Sequence, residues 1–125
     1  MRTIRLTEHQ EQAAVVEYVR QKYPRYASYL FAVPNAAKRS YPVMARLRRE
    51  GFAVGFPDLG ILYPMGGYHG LLIEMKRQRG SRGALPRTSP EQTEWVERLS
   101  TAGYWAVVCY GAAEALREID LYFAE

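Results

Sequence analysis

The run Gly70-Leu71-Leu72-Ile73-Glu74-Met75-Lys76 constrains this chain more than any other. Alternate side chains share a face of a strand, so Glu74 and Lys76 point the same way as Leu72, while Ile73 and Met75 point to the opposite side. Two charges thus interrupt an otherwise apolar strand. Burying them without purpose would cost on the order of several kcal/mol per ion. Two readings account for them. The strand could run out of core at Glu74, leaving an exposed Glu–Lys pair worth up to about 1 kcal/mol. Alternatively, the pair marks a metal site: a hard divalent cation takes oxygen ligands, and Glu74 offers a carboxylate and Met75 a main-chain carbonyl.

Asp58, in Gly55-Phe56-Pro57-Asp58-Leu59, could supply a second carboxylate from a neighbouring strand. It could equally close an Asx turn after proline. Lys76 beside a metal could orient or deprotonate a water, or stabilise charge on a phosphate.

The remaining elements follow from periodicity and punctuation. Thr7 is placed to cap a first helix, with Glu8 and Glu11 in its first turn and Gln12, Val15, Val16 and Val19 at helical spacing. Tyr29 to Val33 reads as a strand stopped by Pro34, and Tyr41 to Glu50 as a helix stopped by Gly51. A strand starting near Asp58 and another from Tyr68 to Lys76 flank the turn Pro64-Met65-Gly66-Gly67, which implies a hairpin. Arg77 to Thr88 is a basic loop. Ser89-Pro90-Glu91-Gln92 opens the third helix with a capping box, Tyr104 to Tyr110 is a strand, and Ala112 to Phe123 a last helix. This order predicts an α/β fold in one domain over 1–125, a mixed sheet with helices on both faces, and a right-handed parallel crossover between the last two strands.

Composition narrows the function. The 125 residues are 48% hydrophobic and 24% charged, as in ordinary globular proteins, with a net charge of +4 and a pI near 9.3. Arginine outnumbers lysine, which suits bidentate contacts to phosphate. The single cysteine, Cys109, lies in an apolar run and excludes a disulfide framework; two histidines make a His/Cys zinc site a poor fit. No run is long enough to span a membrane, and the N-terminal residues do not form a signal peptide, so a cytoplasmic setting is expected.

The ordered set Pro57-Asp58 then Glu74-Met75-Lys76 resembles the pattern of the PD-(D/E)XK nucleases. The wider context is similar to the VRR-NUC family within them: Glu8 and Gln12 on the first helix, Val33-Pro34-Asn35 followed by Arg39, Gly55-x-Pro57-Asp58-Leu59, Ile73-Glu74-Met75-Lys76, and Gln92-x-x-Trp95 leading to Leu99 and Gly103. The resemblance spans roughly residues 8 to 110, with no departure at the metal-binding positions. It implies a restriction-endonuclease-like core with a central mixed four-stranded sheet flanked by helices. It also implies Mg²⁺ or Mn²⁺ held by Asp58, Glu74 and the carbonyl of Met75, with Lys76 as a further catalytic residue. The family's first-helix acid falls to Glu8, whose face Gln12, Val15 and Val19 continue inward; Glu11, at the edge of that face, is the fallback. Gln92 matches the family's glutamine near the site, although the capping box competes for the same side chain.

DNA is the expected partner. Arg77, Arg79 and Arg82 on the basic loop, and Asn35, Lys38 and Arg39 in the first turn, are the expected backbone contacts. Arg46, Arg48 and Arg49 read as solvent-facing. Stand-alone members of the resembled family act as homodimers on junctions, which makes four-way or other branched DNA the expected substrate. Two rivals remain at this point: a basic module that holds nucleic acid without cutting it, and a metal-dependent hydrolase of a small phosphorylated substrate.

Overall fold

The computed structural model describes residues 6–34, 40–80 and 87–124. Helix α1 (Glu8–Lys22) leads through a 3₁₀ turn (Ala27–Tyr29) into strand β1 (Leu30–Ala32). Helix α2 (Tyr41–Arg49), strands β2 (Leu59–Ile61) and β3 (Leu71–Lys76), helix α3 (Pro90–Thr101), strand β4 (Trp105–Tyr110) and helix α4 (Ala112–Phe123) follow. The sheet runs β1-β2-β3-β4, with β1–β2 and β2–β3 antiparallel and β3–β4 parallel across α3. The expected mixed four-stranded α/β architecture is therefore present.

The strands are shorter than the sequence suggests, for local reasons. The 3₁₀ turn absorbs Tyr29, although its carbonyl still accepts from the Leu62 N–H. The hairpin tip closes on itself through paired bonds between Met65 and Tyr68, around Gly66 and Gly67 at positive φ. His69 N–H then turns to the Gly103 carbonyl, so β3 begins only at Leu71.

Period-two alternation in β3 divides the core. Leu71, Ile73 and Met75 pack with Leu59, Ile61 and Cys109 against Val15 and Val19 of α1 and Ala115 and Ile119 of α4. On the opposite face Leu72 and Ala106 pack against Leu99 of α3, flanked by Phe31, Phe56 and Trp95. Glu74 and Lys76 belong to this second face. Cys109 is a buried thiol whose pKa burial raises to about 12, so it stays protonated.

A polar clasp joins the ends of α1 and α4. Asp120 accepts from Tyr18 Oη (2.8 and 2.7 Å), Tyr23 Oη (2.5 Å) and Lys22 Nζ (3.0 Å). Partial burial works to raise the Asp120 pKa, but the bonds from Tyr23, Tyr18 and Lys22 prevail and lower it. A depressed carboxylate stabilises the fold above its unfolded pKa and loses that contribution as pH falls. Asp120→Asn is expected to lower Tm by about 3–6 °C at neutral pH. Thermal melts should show the gap closing below about pH 4; a gap independent of pH would contradict this account.

Candidate active site

Four chain segments converge where β2 starts and β3 ends. Pro57 is buried and anchors the approach to β2. Asp58 follows it. Its carbonyl accepts from the Val33 N–H (2.8 Å), tying it to the end of β1. Its Oδ2 accepts from the Met75 N–H (2.8 Å), tying it to β3. The β2–β3 register pairs Leu59 with Ile73, so one step further sets Asp58 opposite Glu74. The aspartate side chain thus replaces the next rung of the ladder. It does not close an Asx turn within its own loop.

Glu74 is 3% exposed, which rules out the exposed ion-pair reading. Burial, then the hydrogen bond and charge of Asp58, push its pKa up to about 9, while Lys76 works the other way. The carboxyls of Asp58 and Glu74 therefore face each other within hydrogen-bond reach. Such a pair is crowded with negative charge and must take up a proton or a cation. Lys76 does not neutralise it fully: its Nζ stands 3.9 Å from Glu74 Oε2. Among the described residues no three His, Cys, Asp or Glu side chains converge as a metal cage. The donor set is two carboxylates plus backbone. The Lys76 carbonyl accepts from the Gly111 N–H on the β4 side. By alternation the Met75 carbonyl turns toward the side where β2 has ended. Two carboxylates and a carbonyl, completed by water or phosphate oxygens, fit a hard divalent cation.

Gln92 reaches this pair from α3. Its Oε1 accepts from Lys76 Nζ (2.8 Å) and from the Ser89 N–H (2.9 Å), and its Nε2 donates to Glu74 Oε2 (3.1 Å). The expectation that capping and site contact exclude each other is corrected. A carbonyl oxygen has two lone pairs, and each role takes one.

The first helix also departs from expectation. Its inward stripe is Glu11, Val15 and Val19, with Glu11 4% exposed and Gln12 only half-buried. Glu11 lies under Gly111, and its Oε2 has no hydrogen-bond partner among the described residues. Glu8 stands instead at the cleft mouth, exposed on its outer side. There, loss of water and then the charge of Asp58 raise its pKa, with Lys76 opposing. Glu8 is thus the acid that senses the site, and Glu11 the acid in the core. Glu8 and Asp58 line a cavity of about 550 Å³. It adjoins a second of about 360 Å³, lined by Asp58, Glu74, Ser89 and Gln92 with Met44, Phe52 and Phe56.

Of the expected DNA contacts, Asn35, Lys38, Arg39 and Arg82 lie outside the described residues. Arg77 is half-buried directly after Lys76. Arg79 donates to Glu114 Oε2 (2.6 Å) and lies over the Tyr110 ring. Arg46, Arg48 and Arg49 are exposed, as expected. One contributor was missed as such. Gly55, at φ +84°, sits so close to α3 that a Cβ would fall 2.7 Å from Glu91. A glycine just before x-Pro-Asp was the available signal.

Residues 6–113 match the VRR-NUC domain family model. The chain belongs to the VRR-NUC family. A solved structure described as a VRR_NUC domain protein is 30% identical, superposes with a TM-score of 0.80, and is matched over 97% of this chain and 91% of that one. No curated protein sequence gives a significant match. The VRR-NUC domain is a nuclease domain, and its mixed sheet flanked by helices is the fold found here.

The carboxyl pair has a consequence for stability. In chelator-treated buffer, folded Glu74 keeps its proton to a pH at which the unfolded chain has lost it. Stability must then fall as pH rises from about 5 toward 9. Melts of Glu74→Gln, which is neutral throughout, should show a flatter profile and a Tm above wild type at pH 9. Parallel profiles for the two proteins would mean that Glu74 does not hold this proton.

Proposed function

We propose that this VRR-NUC chain is a divalent-metal-dependent DNA endonuclease that hydrolyses phosphodiester bonds. The observation that carries the reading is the facing pair of carboxyls at Asp58 and Glu74, buried beside an ammonium and open to a cleft. When bound, Mg²⁺ or Mn²⁺ supplies the Lewis acidity that phosphodiester hydrolysis needs. Asp58, Glu74 and the Met75 carbonyl would hold it.

The chain's own groups do the rest. Lys76 Nζ, fixed by Gln92, offers positive charge where the phosphate gathers negative charge. Its side chain is only 11% exposed, so that charge acts with little screening. Glu8 at the cleft mouth, with its raised pKa, can hold or pass a proton on the side facing Asp58. The basic residues after Lys76, Arg77 foremost, extend positive charge along the path of a phosphate backbone.

The substrate we infer is branched DNA, with the four-way junction first. A chain of 125 residues has little surface with which to grip two duplexes. A homodimer would set two such clefts on two strands, as in the family's stand-alone members.

The test is cleavage of labelled single strand, duplex, flap, splayed arm and four-way junction, each with Mg²⁺ and with Mn²⁺. The junction should be cut fastest, and Glu74→Ala should reduce the rate by about 10³-fold or more while leaving binding intact. Wild type that binds the junction with a steep salt dependence but cuts nothing would instead be a non-catalytic binding module.

A further inference from the structure

The first turn of α3 is built as a mount for the active-site lysine and glutamate. Ser89 Oγ accepts from the Gln92 N–H (3.2 Å), and the Ser89 N–H donates to Gln92 Oε1 (2.9 Å). The same Oε1 takes Lys76 Nζ, and the Nε2 of the same side chain holds Glu74. Gln92 is thereby pinned at its backbone and at both ends of its amide. Two further contacts hold the mount. The Thr88 and Thr93 hydroxyls meet at 3.0 Å across the cap. Gly55, three residues before Asp58, packs its bare Cα against Glu91 and Gln92. The loop that carries Asp58 and the turn that aims Gln92 are thus pressed together where any side chain at 55 would separate them.

We propose that Ser89 is a positioning residue: its cap on α3 holds Gln92 so that Lys76 and Glu74 keep the geometry needed to cut. This rests on the nuclease reading above. The capping box on α1 is built alike, from Thr7 and Gln10, yet among the described residues Gln10 only closes its own box. On α3 the box residue also holds the site. Removing Ser89 Oγ leaves the Gln92 N–H without its acceptor and frees the first turn to fray. The amide then leaves Lys76 and Glu74, although neither residue is altered.

Ser89→Ala should lower kcat about 10–100-fold with KM within about twofold. Ser89→Thr, which keeps the hydroxyl, should restore it. Asp120→Asn, in the clasp between α1 and α4, costs stability elsewhere and should leave kcat unchanged. The decisive signature is the Gln92 side-chain amide in ¹H–¹⁵N spectra, recorded without metal or DNA. Its resonances should move to the solvent-exposed position in Ser89→Ala and return in Ser89→Thr. An unmoved amide with unchanged kcat in a folded Ser89→Ala protein would overturn the proposal. So would equal losses of kcat in Ser89→Ala and Asp120→Asn. If Ser89→Ala does not fold, Ser89→Gly, a milder change at an N-cap, takes its place in the same measurements. A wild type that cuts no substrate counts against the nuclease reading alone, because the amide resonances still decide whether Ser89 holds Gln92.

Discussion

The structure depends on one meeting of like charges: the carboxyls of Asp58 and Glu74, held face to face where the β2–β3 ladder stops. Left to themselves they would repel. They are held together because each is anchored from behind. Asp58 is fixed by two main-chain bonds, to Val33 and Met75, and by the burial of Pro57 beside it. Glu74 is fixed by its place in β3, the strand most completely buried in the sheet. The hydrophobic packing of Leu71, Ile73 and Met75 against α1 and α4 therefore does work on the opposite face. It holds a carboxylate where water alone would not leave it, and so stores an affinity for positive charge.

The second layer of the design is that no catalytic group stands alone. Lys76 is steadied by Gln92, Gln92 by Ser89, and the turn that carries both by Gly55. Glu8 adds its charge from α1 at the cleft mouth. Each link comes from a different element, so the site exists only when β1, β2, β3, α1 and α3 are in register. A chain of this size can then carry precise chemistry without a second domain to support it.

Much of this was legible in the sequence, for identifiable reasons. Element order and the mixed sheet followed from periodicity, capping residues and glycines. Asp58, Glu74 and Lys76 stood out because charges on a core strand are expensive. Where the reading failed, tertiary geometry had overridden a local rule. Glu11, Val15 and Val19 lie at i, i+4 and i+8, so the inward stripe was visible in the spacing. It was passed over because a glutamate was not expected in the core. Gln92 was thought to have one role because a sequence shows a side chain once and cannot show that its two lone pairs face different partners. The strand ends at Tyr29 and Tyr68 depended on hydrogen bonds to distant chain, which no local pattern carries.

The central claim is that Asp58 and Glu74 together hold a divalent cation. Calorimetric titration of Mn²⁺ into the metal-free protein at pH 7.5 tests it most directly. Wild type should bind saturably with release of protons, and both the binding and the proton release should disappear in Asp58→Asn and in Glu74→Gln but persist in Asp120→Asn. Mn²⁺ binding that survives removal of both carboxylates, or a wild type that binds none, would contradict the account.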